Sequence, residues 1–266
     1  MARKWGQHFL IRQGVVEKML KHADVREGDT VLEIGPGRGF LTRSLLSRGA
    51  RVQAVEVDQT LCADLRERFG DHPGFALLEG DVMEIEPGEL LKVSKDPLKI
   101  VANLPYLISA RLILRLIPFR RQCASMTLMV QQEVADRICA EPENRKHYGA
   151  LSLATRMAFE CRKILTVQPA AFKPPPKVYS SVIHLLPRNS GLDPGKEKMF
   201  LQWSHSLFGS RRKTLVNNIR QHYPGWHSDC KVGLKKTLGL RRPEDLSLQE
   251  WLSLFREYTL PQVAAC

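Results

Sequence analysis

Between Thr30 and Val130, short apolar runs alternate with amphipathic stretches of helical length. Thr30-Val31-Leu32-Glu33-Ile34, Arg51-Val52-Gln53-Ala54-Val55, Phe75 to Leu78, Leu98-Lys99-Ile100-Val101-Ala102 and Ser125 to Val130 read as five strands. Residues 12–23 precede them as a helix, with Val15, Val16, Met19 and Leu20 at helical spacing. Residues 39–48 read as a second helix, and a third begins near Asp58, a residue suited to N-capping. Strands alternating with helices predict an α/β fold, a parallel sheet with helices on both faces. Right-handed crossovers then place the loops after the strands along one sheet edge, where such folds bind ligands.

After Tyr148 the pattern changes. A helix over 150–159, a proline-rich loop (Pro169 to Pro176) and a strand (Val178 to Leu186) close a first domain of residues 1–187. The stretch from Pro187 to Gly195 is rich in turn residues and reads as a linker. Residues 188–266 form a small second domain that reads as all-helical, with helices over 196–208, 211–221, about 229–237 and 247–257.

Composition narrows the function classes. The 266 residues are 43% hydrophobic and 26% charged, a globular balance. No apolar stretch approaches the ~20 residues that cross a bilayer. The basic start is not followed by an apolar segment of secretory type, so a soluble, cytoplasmic protein is expected. The six cysteines (62, 123, 139, 161, 230 and 266) are far apart and lack metal-ligand spacing, so they read as reduced thiols with no bound metal. Forty basic against 28 acidic residues leave +12, and residues 187–266 alone hold 13 basic and 7 acidic side chains. That tail is more than twice as charge-dense as the rest, a field that attracts polyanions.

Gly35-Pro36-Gly37-Arg38-Gly39 lies between a strand and a helix, where glycines let a ligand approach the backbone. The third glycine comes one residue too early for a dinucleotide fingerprint. The spacing therefore favours an adenosyl ligand without a pyrophosphate over NAD. Glu56 ends the second strand, 21 residues after Gly35, where a carboxylate can accept both ribose hydroxyls. Asp81 follows the third strand and can accept from an adenine amino group. Glu33 either orients the ligand's amine through water or hydrogen-bonds the turn. Asn103-Leu104-Pro105-Tyr106 follows the fourth strand and opens at the same edge. An asparagine oxygen and a neighbouring carbonyl can accept from an exocyclic amino group while Tyr106 stacks on its base; the alternative is an ordinary strand-ending loop.

A series of segments now occurs in order: Trp5 to Leu10, Glu33 to Gly37, Glu56-Val57-Asp58, Asn103 to Tyr106, Met129 to Arg137, Pro176 to Val182 and Arg211 to Asn218. It resembles the S-adenosylmethionine-dependent ribosomal RNA adenine N6-dimethyltransferases, specifically their bacterial small-subunit branch, from Gly6 to about Phe255. The resemblance implies a Rossmann-like class I methyltransferase sheet and S-adenosyl-L-methionine as cofactor. His8 and Leu10 would line the cofactor pocket, with Gly35 and Gly37 beneath the methionine part. Glu56 would hold the ribose, Asp81 the adenine and Asn103 the methyl-transfer end. Asn103, Leu104, Pro105 and Tyr106 would be catalytic. Phe172 would clamp the opposite face of the target base, or else be a core aromatic. Relatives often carry asparagine where Leu107 stands, so Leu107 is given no role. Arg211, Arg212, Lys213, Arg220, Lys235 and Lys236 would grip RNA, with Arg241 and Arg242 extending the second cluster. The implied partner is 16S rRNA within the assembling 30S subunit, with no membrane and no obligate protein partner, so a monomer. A large-subunit rRNA methyltransferase of the macrolide-resistance type and a non-catalytic RNA-binding assembly factor are the alternatives, with an NAD oxidoreductase more distant.

Overall fold

The computed structural model describes residues 7–91, 94, 96–210, 212–223 and 238–263. The chain divides into two compact units, one of residues 1–136 and 158–188, the other of residues 137–157 and 189–266. A single cut at 187/188 therefore misses one stretch: residues 137–157 group with the second unit.

The first unit begins with β1 (Phe9–Leu10) and α1 (Gln13–His22), followed by β2 (Thr30–Ile34), α2 (Phe40–Leu46), β3 (Arg51–Glu56) and α3 (Gln59–Phe69). It continues through β4 (Phe75–Glu79), α4 (Pro87–Leu91), β5 (Leu98–Asn103), α5 (Ser109–Leu116) and β6 (Cys123–Gln131). After α6 (Gln132–Ile138) and α7 (Ala150–Ala158) come β7 (Phe159–Val167), β8 (Phe172–Lys173) and β9 (Ser180–Pro187). The seven-stranded sheet has the order β4-β3-β2-β5-β6-β9-β7. Its first five strands are parallel, and β9 runs antiparallel to both β6 and β7, so the sheet is mixed rather than parallel throughout.

The strand β7 lies outside the elements that the sequence pattern predicts. Its middle, Glu160 to Lys163, is largely polar, as suits a sheet edge, where charge discourages pairing with another chain. Arg162 pairs with Glu160 (2.5 Å) and Lys163 with Asp136 (2.7 Å).

Helices cover both faces of the sheet. Val31, Val52, Val101, Met129 and Val182 join Val16 and Met19 of α1, Leu41 and Leu45 of α2, and Leu65 of α3 in one core. Leu32, Ile100 and Leu128, each next to one of those strand residues and so on the opposite face, are also at most 1% exposed. Burial on both faces explains why the strands read as near-continuous apolar runs. Strand order reverses between β2 and β5, and a cleft outside the strand ends is expected there.

The second unit takes in nearly all of α7, together with α8 (Pro194–Leu207), α9 (Leu215–His222) and α10 (Leu248–Val263). Its core is aromatic: Trp251 meets Trp203 at 5.4 Å and Phe208 at 5.3 Å, and Phe200 meets Phe255 at 5.4 Å. Tyr148 ties residues 137–157 to it, with its ring 6.3 Å from Phe208 and its hydroxyl donating to the Leu246 carbonyl (3.1 Å). No helix among the described residues is long and apolar enough to cross a membrane.

Candidate active site

A cavity of about 210 Å³ opens where β2, β3, β4 and β5 end. Its floor is the turn after β2. Gly35 (φ +67°) donates its N–H to the Val55 carbonyl (2.9 Å), and Gly37 (φ +58°) donates to Glu56 Oε2 (3.1 Å). Both conformations disfavour a side chain, and at Gly37 a Cβ would also sit 3.0 Å from the Phe9 ring, which would have to give way. A Cβ at Gly35 would lie 3.6 Å from Pro105, so the turns after β2 and β5 stand nearly in contact.

The carboxylates at the strand ends differ in their surroundings. Glu56 is 5% exposed and accepts three backbone N–H groups, those of Val57 and Asp58 on Oε1 (both 3.0 Å) and that of Gly37 on Oε2. One rotamer is thereby fixed, while lone pairs remain for a ligand. Asp81 accepts from the Met83 N–H through Oδ1 (2.8 Å), and its other oxygen remains available in the cavity wall. Glu33, 1% exposed, accepts from the Thr42 hydroxyl (2.7 Å). The contact reaches α2 and not the turn itself. Burial, with a smaller contribution from the Glu56 charge, pushes the Glu33 carboxyl up to about 8 despite that bond.

Asn103, the last residue of β5, donates Nδ2–H to the His8 carbonyl (3.2 Å). A carbonyl can only accept, so this contact orients the carboxamide and leaves Oδ1 as its acceptor end. The next peptide is pinned by the Leu104 N–H, which donates to the Met129 carbonyl (3.0 Å). Tyr106 shares a hydrogen bond with the Ser180 hydroxyl (2.7 Å), and partial burial raises its phenol above the usual range. The His8 ring stacks on Tyr106 at 5.6 Å, with an interplanar angle of 30°. Nδ1 of His8 lies 2.8 Å from the Pro174 carbonyl and must therefore carry the proton, which leaves Nε2 as the acceptor in the neutral ring.

The structure brings His8, Leu10, Gly35, Gly37, Glu56, Asp81 and the Asn103–Tyr106 loop to one cavity. Of the two readings of Phe172, the structure matches the core aromatic and not the base clamp: it is 2% exposed, belongs to the core, and does not line the cavity. The reason is register, since β8 pairs with β1 and sets Phe172 opposite the buried Leu10. Arg212, Lys213 and Arg220 are exposed on the second unit, around the start and end of α9. Arg211, Lys235 and Lys236, with the helix expected at 229–237, lie outside the described residues. Arg241 is engaged by Glu250 on both guanidinium nitrogens (2.5 and 3.0 Å). Sequence reasoning gave no part to Pro174 and Ser180, the partners of His8 and Tyr106. Ser180 lies in the Pro176–Val182 segment and Pro174 just before it, but spacing alone does not say where such a segment returns in space.

The family model described as ribosomal RNA adenine dimethylase matches residues 1–259. The chain is 36% identical over 263 residues to a ribosomal RNA small subunit methyltransferase A of Synechococcus elongatus, covering 95% of this chain and 93% of that one. It is 39% identical to the protein of the same description from Dehalococcoides mccartyi, covering 97% and 88%. A dimethyladenosine transferase structure from Plasmodium falciparum superposes with a TM-score of 0.78 at 25% identity, covering 94% and 97%. The 23S rRNA methyltransferase ErmE superposes with a TM-score of 0.69 at 25% identity, covering 94% and 99%.

Proposed function

The chain belongs to the ribosomal RNA adenine dimethylase family, and from that premise we propose that it transfers methyl groups from S-adenosylmethionine to N6 of two adjacent adenines in the 3'-terminal hairpin loop of 16S rRNA. The products are N6,N6-dimethyladenosines, made in the cytoplasm by a monomer acting on the assembling 30S subunit.

The donor set of the cavity suits that cofactor. Glu56 keeps acceptor capacity for ribose hydroxyls, Asp81 has an oxygen for the adenine amino group, and Gly35 and Gly37 open the floor. His8 and Leu10 close the same cavity from the N-terminal segment. When bound, S-adenosylmethionine supplies an electrophilic methyl on a positively charged sulfur.

One observation carries the reading: the Asn103 carboxamide is held by His8 with Oδ1 as its acceptor end. Adenine N6 is a poor nucleophile because its lone pair is delocalised into the ring. Oδ1 of Asn103 and the Leu104 carbonyl accept its two hydrogens, draw the nitrogen toward tetrahedral geometry and free the lone pair. Tyr106, fixed by Ser180 on its hydroxyl and by His8 against its ring, presents aromatic surface on which the base stacks. Alignment and preset dipoles supply the acceleration, and no strong base is required. The methylated nitrogen gives up its proton readily. The target adenine must leave its stack to enter, so an unpaired loop is the natural substrate. The exposed Arg212, Lys213 and Arg220 support an RNA-gripping role for residues 188–266.

The test is methyl incorporation from labelled S-adenosylmethionine into immature small subunits, followed by mapping of dimethyladenosine in both rRNAs. Wild type is expected to modify two adjacent small-subunit adenines, and Asn103→Ala to lose that activity. Absence of transfer by wild type, full activity of Asn103→Ala, or modification of the large-subunit rRNA instead would overturn the proposal.

A further inference from the structure

Among the described residues seven large apolar side chains are exposed, and four of them, Ile11, Leu107, Val178 and Tyr179, stand beside segments that build the cavity or brace it. Grouped exposure of this kind marks a surface that something else covers. Leu107 directly follows Tyr106, lines the cavity and is 80% exposed. Val178 (45%) and Tyr179 (49%) belong to a loop tied to the site at both ends. At one end the Pro174 carbonyl accepts from His8; at the other the Ser180 hydroxyl meets the Tyr106 hydroxyl. The Gln132 N–H donates to the Tyr179 carbonyl (3.0 Å), which holds the backbone while the ring remains half in solvent.

Charge identifies the occupant. Lys173 precedes the same loop and Lys177 lies within it; both are exposed, and neither has an acidic partner among the described residues. A protein-binding patch tends to exclude charge from its centre, whereas aromatic surface interleaved with free cations suits an unpaired polyanionic strand. A site that takes a base out of its stack also needs something to occupy the gap and something to hold the neighbouring nucleotide.

We propose that this rim seats the nucleotides beside the target adenine. A neighbouring base stacks on Tyr179, Leu107 fills the gap that the target leaves in the strand, and Lys173 and Lys177 take the adjoining phosphates. The inference rests on the rRNA adenine methylation reading and deepens it by naming the residues that handle the strand.

The test uses the full chain and a small-subunit RNA hairpin with 2-aminopurine next to the target adenine, so that binding is read without methyl transfer. Wild type is expected to bind the hairpin and quench the probe as it stacks on Tyr179. Tyr179→Ala weakens binding by about tenfold and abolishes the quench, as loss of one base–aromatic stack requires. Tyr179→Phe retains both, and Leu107→Ser weakens hairpin binding in the same assay. If Tyr179→Ala binds and quenches like wild type while wild type methylates, the rim assignment is wrong and the methylation reading stands. If wild type binds and quenches yet transfers no methyl to immature subunits, the rim stands and the methylation reading falls. Failure of wild type to bind the hairpin overturns both.

Discussion

The cavity and the basic stretch of the helical unit are both assigned to RNA chemistry, yet their polar groups are held differently. Around the cavity each group is fixed before a substrate arrives: Glu56 by three backbone N–H groups, Asn103 by the His8 carbonyl, Tyr106 by Ser180. On the helical unit Arg212 and Arg220 are exposed and have no ion-pair partner among the described residues. Fixed dipoles act at full strength when charge develops, because nothing has to reorganise. Exposed cations act through a screened field, and each contributes little. Single changes in the first region should therefore be severe and nearly insensitive to salt, and those in the second mild and strongly salt-dependent.

The largest effect belongs to Asn103→Ala. Removing one preorganised hydrogen-bond donor from a reacting centre typically costs about 10²–10³ in turnover, and a preset acceptor is expected to act on the same scale. We expect kcat for methyl transfer to fall by that factor at both low and high salt, with the affinity for the RNA hairpin nearly unchanged. A loss expressed mainly in KM for RNA would move Asn103 from the reacting centre to the binding surface and erase the contrast.

Glu56→Gln comes next. Glu56 accepts on both oxygens, whereas an amide has only one acceptor. Glutamine must therefore turn an NH2 toward a backbone N–H, either that of Gly37 or those of Val57 and Asp58. Leaving a buried donor unmatched costs about 1–3 kcal/mol. S-adenosylmethionine affinity by calorimetry should drop by roughly tenfold or more, with a lower Tm. An unchanged affinity would remove Glu56 from the ribose role.

The unequal legibility of the two regions has a physical origin. Glu56, Asp81 and Asn103 could be placed from sequence because parallel strands with right-handed crossovers bring their C-terminal ends to one edge. Phe172 could not, because its burial follows from a two-residue pairing with β1 that no periodicity marks. The strand β7 was obscured by the edge position that fills it with charge, and residues 137–157 by a tertiary contact through Tyr148 that sequence distance hides. Arg241 read as a free cation until Glu250, nine residues on, was seen to engage it. Leu107, given no role from sequence, became informative only once its exposure at the cavity mouth was visible.

Glu33 sharpens the comparison inside the cavity itself, since it shares the cavity lining with Glu56 but draws its hydrogen bonds from Thr42, chiefly the hydroxyl, instead of from three backbone N–H groups. Its carboxyl moves from an ordinary 4.5 to about 8 on folding. The folded state therefore holds a proton that the unfolded state releases, so Glu33's contribution to stability is greatest below 4.5 and declines as pH rises toward 8. Glu33→Gln cannot titrate. Its Tm should change less than that of wild type between pH 5 and pH 8, whatever constant offset the amide introduces. Parallel pH profiles for the two proteins would show that Glu33 does not titrate in that window.

The smallest effects lie on the helical unit. Arg212→Ala and Arg220→Ala each remove an exposed side chain that has no ion-pair partner among the described residues. A phosphate contact contributes about 0.9 to the slope of log K against log salt for a duplex and about 0.7 for a single strand. Each variant should lower hairpin affinity only severalfold at low salt, reduce that slope by roughly one unit, and leave kcat unaltered at saturating RNA. The difference from wild type should shrink as salt rises, because the contact being removed is the screened one. Measured slopes equal to that of wild type would mean that Arg212 and Arg220 sit off the phosphate path. The polyanion-binding role of the second unit would then fall to other cations of the tail, with Lys213, exposed on the same stretch beside α9, the first to be replaced.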